Sequence, residues 1–196
     1  MEARIRAQAD AVQPRRICVY AGSHQGRRPA YAASASSLGR LLAREGIELI
    51  YGGGGLGLMG VLADAALAAG GRVVGVIPGH LAEREAAHRS VTELRIVSSM
   101  HERKLTMFEL AEAFIALPGG TGTLDELIEM LTWAQLGLHA KPCGLINVEG
   151  YYDSLLAFLD HAVDEGLLEA RDRAWLSVAP APEPLLAQLR ARLGAG

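Results

Sequence analysis

The sequence predicts an α/β fold: a Rossmann-like, doubly wound parallel sheet with helices on both faces, built as a single domain. Three observations predict it. Short apolar runs alternate with helix-patterned segments at the spacing of βαβ units. The runs are apolar throughout, as strands covered on both faces are, and do not alternate with polar residues. Two of them break straight into glycine-rich turns that open helices, at Gly52-Gly53-Gly54-Gly55-Leu56-Gly57 and Pro118-Gly119-Gly120-Thr121-Gly122.

Residues 1–14 read as a loose leader closed by Pro14, the Rossmann-like domain is assigned to 15–178, and 179–196 to a proline-rich linker and C-terminal helix. Arg16-Ile17-Cys18-Val19-Tyr20 is the first strand, followed by the small-residue loop Ala21 to Gly26. Pro29 to Glu45 carries helix formers and an apolar stripe at Leu38, Leu41 and Leu42, with Gly46 suited to the helix end. Ile47 to Tyr51 is the second strand and runs into the first glycine turn, after which an alanine-rich helix continues to Ala69. Val73 to Ile77 is the third strand. The polar stretch Glu83 to Thr92 carries no pattern that assigns it. Leu94 to Val97 is the fourth strand, and a helix covers His101 to Glu112. Ala113 to Leu117 is the fifth strand, with a helix from Thr123 to Leu136. Pro142 to Asn147 is the sixth, then a helix from Tyr151 to Glu165. Ala179 to Pro184 reads as a stiff linker to the last helix, Leu185 to Leu193.

Half of the 196 residues are hydrophobic and 21% are charged, which suits a compact globule and excludes disorder. A net charge of −3 without a Lys/Arg cluster leaves no electrostatic footprint for nucleic acid. Cys18 and Cys143 sit in apolar runs far apart, as reduced core residues of a cytoplasmic protein do. The first fourteen residues lack the apolar core of a signal peptide, and no apolar run reaches membrane-spanning length without glycine. No metal and no cofactor is expected. His101-Glu102 fails the zinc-helix pattern because Leu105 stands where the second histidine belongs, and the other histidines and cysteines show no ligand spacing.

The second glycine turn carries the most chemistry. A strand that breaks into such a turn and then a helix leaves backbone N–H groups at the positive end of the helix dipole, a site for a phosphate. Plain anion binding does not require Glu126, which would repel a phosphate unless it faced something else, such as the sugar of a nucleotide. The alternative for Glu126 is a capping box with Thr123 as N-cap. Arg103 and Lys104 begin the preceding helix, where cations oppose the dipole, so a ligand or carboxylate partner is expected, with a solvated turn paired to Glu102 as the alternative. Gly52 to Gly57 formally matches the dinucleotide fingerprint, but no acidic residue follows the next strand, Val73 to Ile77, to hold a ribose diol. A wall of a mononucleotide pocket is the preferred expectation there, and a tight packing turn the alternative. No Gly-Lys-Ser/Thr follows either turn, which excludes a P-loop, and no G-x-S-x-G surrounds Ser23. Ligands of these sheets sit beyond the carboxyl ends of the strands, so Ser23, the Gly52–Gly57 loop, Arg103 and Glu126 should reach one ligand.

Pro118-Gly119-Gly120-Thr121-Gly122-Thr123-Leu124-Asp125-Glu126 resembles the P-G-G-x-G-T-x-x-E signature of the Lonely Guy (LOG) family, the cytokinin riboside 5′-monophosphate phosphoribohydrolases. Met100-His101-Glu102-Arg103-Lys104 is similar to that family's second motif. Tyr51 to Gly60 resembles its glycine-rich loop, and Leu131 to Gly137 the helix after the signature. The resemblance runs from about Ile17 to Gly166. It implies hydrolysis of the N-glycosidic bond of an adenosine-type 5′-monophosphate, with or without an N6 substituent, releasing free base (cytokinin or adenine) and ribose 5-phosphate. By matching position it implies Arg103 and Glu126 as the catalytic pair, with Glu85, Lys104, Gly119, Gly120, Thr121, Gly122, Thr123, Leu124, Asp125 and Thr132 contacting the nucleotide. It also points to a homodimer, and the mixed apolar faces of the helix from Thr123 to Leu136 agree. Two alternatives stand beside it: a general AMP or pyrimidine-monophosphate nucleosidase, and a non-catalytic nucleotide carrier on the same fold. The presence of both Arg103 and Glu126 argues against the carrier, which needs only the glycine turn.

Overall fold

A computed structural model of the chain describes residues 15–82 and 86–194. The expected leader, 1–14, lies outside the described residues. In chain order the elements are β1 (Arg16–Tyr20), α1 (Pro29–Arg44), β2 (Glu48–Tyr51), α2 (Gly57–Ala68), β3 (Val73–Pro78), the short α3 (Gly79–Ala82), β4 (Glu93–Val97), α4 (Met100–Leu110), β5 (Ala113–Ala116), α5 (Thr121–Gln135), β6 (Cys143–Ile146), a 3₁₀ turn (Val148–Gly150), α6 (Asp153–Asp164), the short α7 (Ala170–Arg173), β7 (Leu176–Ala179) and α8 (Pro182–Leu193).

The seven strands form one parallel sheet in the order β4-β3-β2-β1-β5-β6-β7. The chain adds β2, β3 and β4 on one side of β1, then returns to add β5, β6 and β7 on the other. Strand order therefore reverses between β1 and β5, and the loops leaving those two strands diverge to open a crevice. Alternate residues of each strand serve opposite faces. Ile17 and Val19 pack with Leu38, Leu42, Leu62, Leu185 and Leu189 from α1, α2 and α8. Cys18, Tyr20 and Phe114 pack instead with Met107 and Met130 from α4 and α5. Both faces of the central strands are dry, which is why these carry no polar alternation, whereas the edge strand β4 keeps Glu93 and Ile96 exposed.

Two differences from the sequence reading have physical causes. β7 went unread because four residues with Ser177 among them, followed by Pro180, make a weak strand pattern at a sheet edge. The expected linker is shorter than its prolines suggest. Pro182 opens α8 and Pro184 lies in its first turn, where the missing N–H leaves no acceptor unpaired. Among the described residues no helix is long and apolar enough to cross a membrane.

The described part of the stretch that sequence left unassigned, 86–92, meets the first glycine turn through Ala86 and His88. Gly55 donates to the Ala86 carbonyl at 2.9 Å, His88 donates to the Gly53 carbonyl at 3.0 Å, and the His88 ring meets Asp64 at 2.8 Å.

Candidate active site

Three carbonyls of the turn after β5 are held by hydrogen bonds from neighbouring segments. Gly22 N–H donates to the Pro118 carbonyl at 3.1 Å. The Tyr152 and Tyr151 hydroxyls donate to the Leu117 and Gly119 carbonyls, each at 2.7 Å. Gly120 is the N-cap of α5, and no side chain caps the helix. The first ladder bond is Leu124 N–H to the Gly120 carbonyl, so the N–H groups of Thr121, Gly122 and Thr123 precede the ladder. Gly119 is fixed by crowding: a Cβ there would stand 2.0 Å from the Thr123 hydroxyl oxygen.

This geometry disposes of the capping box. Thr123 sits inside the first turn and Glu126 is the sixth residue of the helix, so the pair cannot cap its start. Glu126 instead lines a cavity of about 520 Å³ beyond the carboxyl ends of β1 and β5, as does Arg103. Its carboxylate is felt at the C-terminal half of β1. Burial first, and then the Glu126 charge, push the Cys18 thiol well above its ordinary value. The Tyr20 phenol rises through burial, with Cys18 and then Glu126 adding to it.

Arg103 is only 6% exposed. Its Nε donates to the Val76 carbonyl at 3.2 Å and its Nη2 to the Gly52 carbonyl at 2.9 Å. Two main-chain bonds leave further N–H donors of the five for a ligand. A further nitrogen, Nη1, lies 3.8 Å from the Met100 sulfur, and the guanidinium shares the cavity with the Glu126 carboxylate. The basic start of α4 is thus explained, though not by Glu102. That carboxylate accepts from Ser98 N–H at 2.7 Å and from the Ser98 hydroxyl, while Ser99 caps the helix by accepting from Glu102 N–H.

The first glycine turn follows the alternative reading. Gly52 to Gly57 are absent from the cavity wall; Leu58 and Met59, at the start of α2, reach it in their place. The N–H groups of those two residues are taken by the Gly22 carbonyl at 2.9 and 3.4 Å, which removes this helix start as an anion site. The glycines serve close packing. A Cβ on Gly57, at φ +64°, would stand 2.1 Å from the Ser23 carbonyl carbon.

Of the expected site residues, the cavity wall brings together Arg103, Glu126, Gly119, Gly120, Thr121, Gly122, Thr123 and Asp125. Leu124, Lys104 and Thr132 are not part of that wall. Lys104 bridges α4 to α5 through Glu129 at 3.1 Å and Asp125 at 3.2 Å. Its burial opposes the charge, but the bonds it donates to Glu129 and Asp125, with their negative charges, outweigh it and raise its pKa. Thr132 is exposed and its hydroxyl donates to the Ile128 carbonyl at 2.8 Å. Glu85 lies outside the described residues. Ser23 and His24 also line the cavity, their side chains 3.3 Å apart.

Sequence reasoning missed Tyr31 and Tyr151. Both line the cavity, edge to face at 5.3 Å. No spacing marks Tyr31. The Tyr151-Tyr152 pair after Gly150 was a legible signal, passed over as the start of a helix.

The family model described as "Possible lysine decarboxylase" matches residues 59–189. The cytokinin riboside 5′-monophosphate phosphoribohydrolase LOG of Oryza sativa subsp. japonica is 51% identical over 175 residues, covering 89% of this chain and 72% of that protein. A cytokinin riboside 5′-monophosphate phosphoribohydrolase of Arabidopsis thaliana is 50% identical over 175 residues, covering 89% and 81%. Among solved structures, the Moco carrier protein from Chlamydomonas reinhardtii superimposes with a TM-score of 0.70 at 21% identity, over 94% of this chain and 100% of that one. The molybdenum cofactor binding protein from Rippkaea orientalis gives 0.67 at 23%, over 93% and 98%. At that identity the likeness is one of fold.

Proposed function

The chain belongs to the Lonely Guy (LOG) family of cytokinin riboside 5′-monophosphate phosphoribohydrolases, and from that premise we propose that it hydrolyses the N-glycosidic bond of N6-substituted adenosine 5′-monophosphates to free cytokinin base and ribose 5-phosphate. One observation carries the reading: the amide-lined turn Gly119–Thr123, Glu126 and Arg103 share one cavity.

The lateral order of the groups suits a nucleotide. The turn continues β5, Glu126 lies in the helix that opens from it, and Arg103 is tethered to Val76 of β3 and to Gly52 just beyond β2. Strands lie about 4.8 Å apart, which sets Arg103 roughly 10–12 Å across the sheet from the turn. A 5′-phosphate on the turn then brings the ribose under Glu126 and the base toward Arg103. The remote phosphate contact positions the reacting carbon.

As the C1′–N9 bond breaks, its electron pair leaves with the purine and positive charge grows on the ribose ring, as in glycoside hydrolysis. The Glu126 carboxylate stabilises that charge and takes a proton from the water that adds to C1′. Arg103 stabilises the negative charge gathering on the departing base, which takes up a proton from solvent while Glu126 gives back to solvent the proton it took from the attacking water. In this reading Asp125 lies at the cavity edge. Lys104 and Thr132 act from outside the wall, and Glu85 remains a further candidate contact.

The description of the family model invites a different chemistry, which this chain's residues do not fit. A pyridoxal phosphate decarboxylase holds its cofactor on a lysine. The chain has two lysines, Lys104 and Lys141. Lys104 is engaged by two carboxylates, and Lys141 donates to the Phe108 carbonyl at 2.6 Å, beside the N-terminal end of β6.

We also place the protein as a cytoplasmic homodimer. Cys18 and Cys143 are buried thiols, as a reducing compartment maintains, and Leu105, Ile128 and Leu136 present apolar surface on α4 and at the end of α5. The test of substrate is release of ribose 5-phosphate from a panel of nucleoside monophosphates. Preference for isopentenyladenosine 5′-monophosphate over AMP is the expected result. Equal turnover of AMP, or of a pyrimidine monophosphate, would favour a general nucleosidase.

A further inference from the structure

Two consecutive tyrosines reach the carbonyls of the anion turn, and only one of them is buried. Tyr152 is 3% exposed and belongs to a core cluster, so its bond to the Leu117 carbonyl is part of the packing. Tyr151 is 40% exposed, lines the cavity, and donates its hydroxyl to the Gly119 carbonyl at 2.7 Å. Consecutive residues face one turn because the chain is sharply bent before them, with Glu149 at φ +48° and Gly150 at φ +71°. Asn147 fixes the bend: its side-chain carbonyl accepts from Tyr152 N–H at 2.8 Å and its amide donates to Asp153 at 2.7 Å.

The peptide so held joins Gly119 to Gly120. It is flanked by the two residues least able to resist rotation, and nothing lies within 4 Å of a Cβ built on Gly120. In a trans peptide the C=O and N–H point in opposite directions. Flipping this unit would turn a carbonyl oxygen toward a bound anion and withdraw an amide from it. Holding the carbonyl on a phenol fixes the orientation that receives negative charge. We infer that the Tyr151 hydroxyl is a positioning residue that locks the Gly119–Gly120 peptide in its anion-accepting orientation, acting on the 5′-phosphate of the substrate through the turn. The inference rests on the reading that this turn seats the phosphate.

Tyr151→Phe removes the hydroxyl and keeps the ring against Tyr31, and Tyr151→Leu removes both. The probes are ribose 5-phosphate, which carries the phosphate without a base, and adenosine, which carries base and sugar without a phosphate. Neither is consumed by the enzyme, so calorimetric titration reads both. Ribose 5-phosphate should bind about threefold to tenfold more weakly to both variants, the scale of one net hydrogen bond. Adenosine binding to Tyr151→Phe should be unchanged. Full ribose 5-phosphate affinity in Tyr151→Phe would overturn the inference while leaving the phosphate site standing. Loss in Tyr151→Leu alone, or equal loss for both probes, would also overturn it. Failure of the unaltered protein to bind ribose 5-phosphate would instead remove the phosphate site on which it rests.

Discussion

Arg103 and Gly52 are fitted to each other. The Arg103 Nη2 donates to the Gly52 carbonyl at 2.9 Å, and a Cβ on Gly52 would stand 2.0 Å from that same nitrogen. The glycine is therefore required by a side chain 51 residues away. Gly52→Ala should leave the sheet intact and move the guanidinium. Turnover is expected to fall by about 100-fold, near the level of Arg103→Ala, the scale of a displaced electrostatic group. Parallel assays and circular dichroism of the two variants check this; a fully active Gly52→Ala would show that the position of Arg103 is unimportant.

Gly119→Ala tests the turn itself. The added methyl meets the Thr123 side chain, which is 4% exposed and cannot swing into solvent without opening the turn. KM for the nucleotide should rise more than about tenfold, because the turn's amides no longer converge on the phosphate. Steady-state kinetics with the monophosphate measures it.

How much of this was legible in the sequence follows from range. The strands and the second glycine turn are local patterns, and the two residues they pointed to, Glu126 and Arg103, line one cavity. The roles of Gly52 and Gly57 were not legible, since their neighbours Arg103 and Ser23 are brought to them only by sheet order. The same holds for Lys104, whose partners Asp125 and Glu129 lie 21 and 25 residues on. The capping alternative for Thr123 fails for a local reason: its spacing to Glu126 suits a cap, but the helix begins earlier, with Gly120 as N-cap.

The cap of α4 sets an acid limit. Hydrogen bonds from the Ser98 side chain and main chain hold the Glu102 carboxyl below its ordinary value of 4.5. A depressed carboxyl stabilises the fold above its unfolded pKa, and that contribution is lost as pH falls through the folded one. Thermal melting of the protein and of Glu102→Gln should therefore converge below about pH 4 and separate above pH 5, with Glu102→Gln the less stable. Equal melting curves at neutral pH would deny the cap a role.

Leu105 and Ile128 are 48% and 37% exposed. In a homodimer built on this face, Leu105→Glu with Ile128→Glu should give a monomer by gel filtration and light scattering. A dimer that survives both charges would place the interface elsewhere.

Glu126→Gln keeps the shape of the side chain and removes its charge. Release of ribose 5-phosphate from isopentenyladenosine 5′-monophosphate, followed beside the unaltered enzyme, tests the account most directly. The variant should fold, bind ribose 5-phosphate normally and lose more than about 100-fold in turnover. A folded Glu126→Gln that cleaves the nucleotide at the full rate would contradict the assignment of this carboxylate to the ribose.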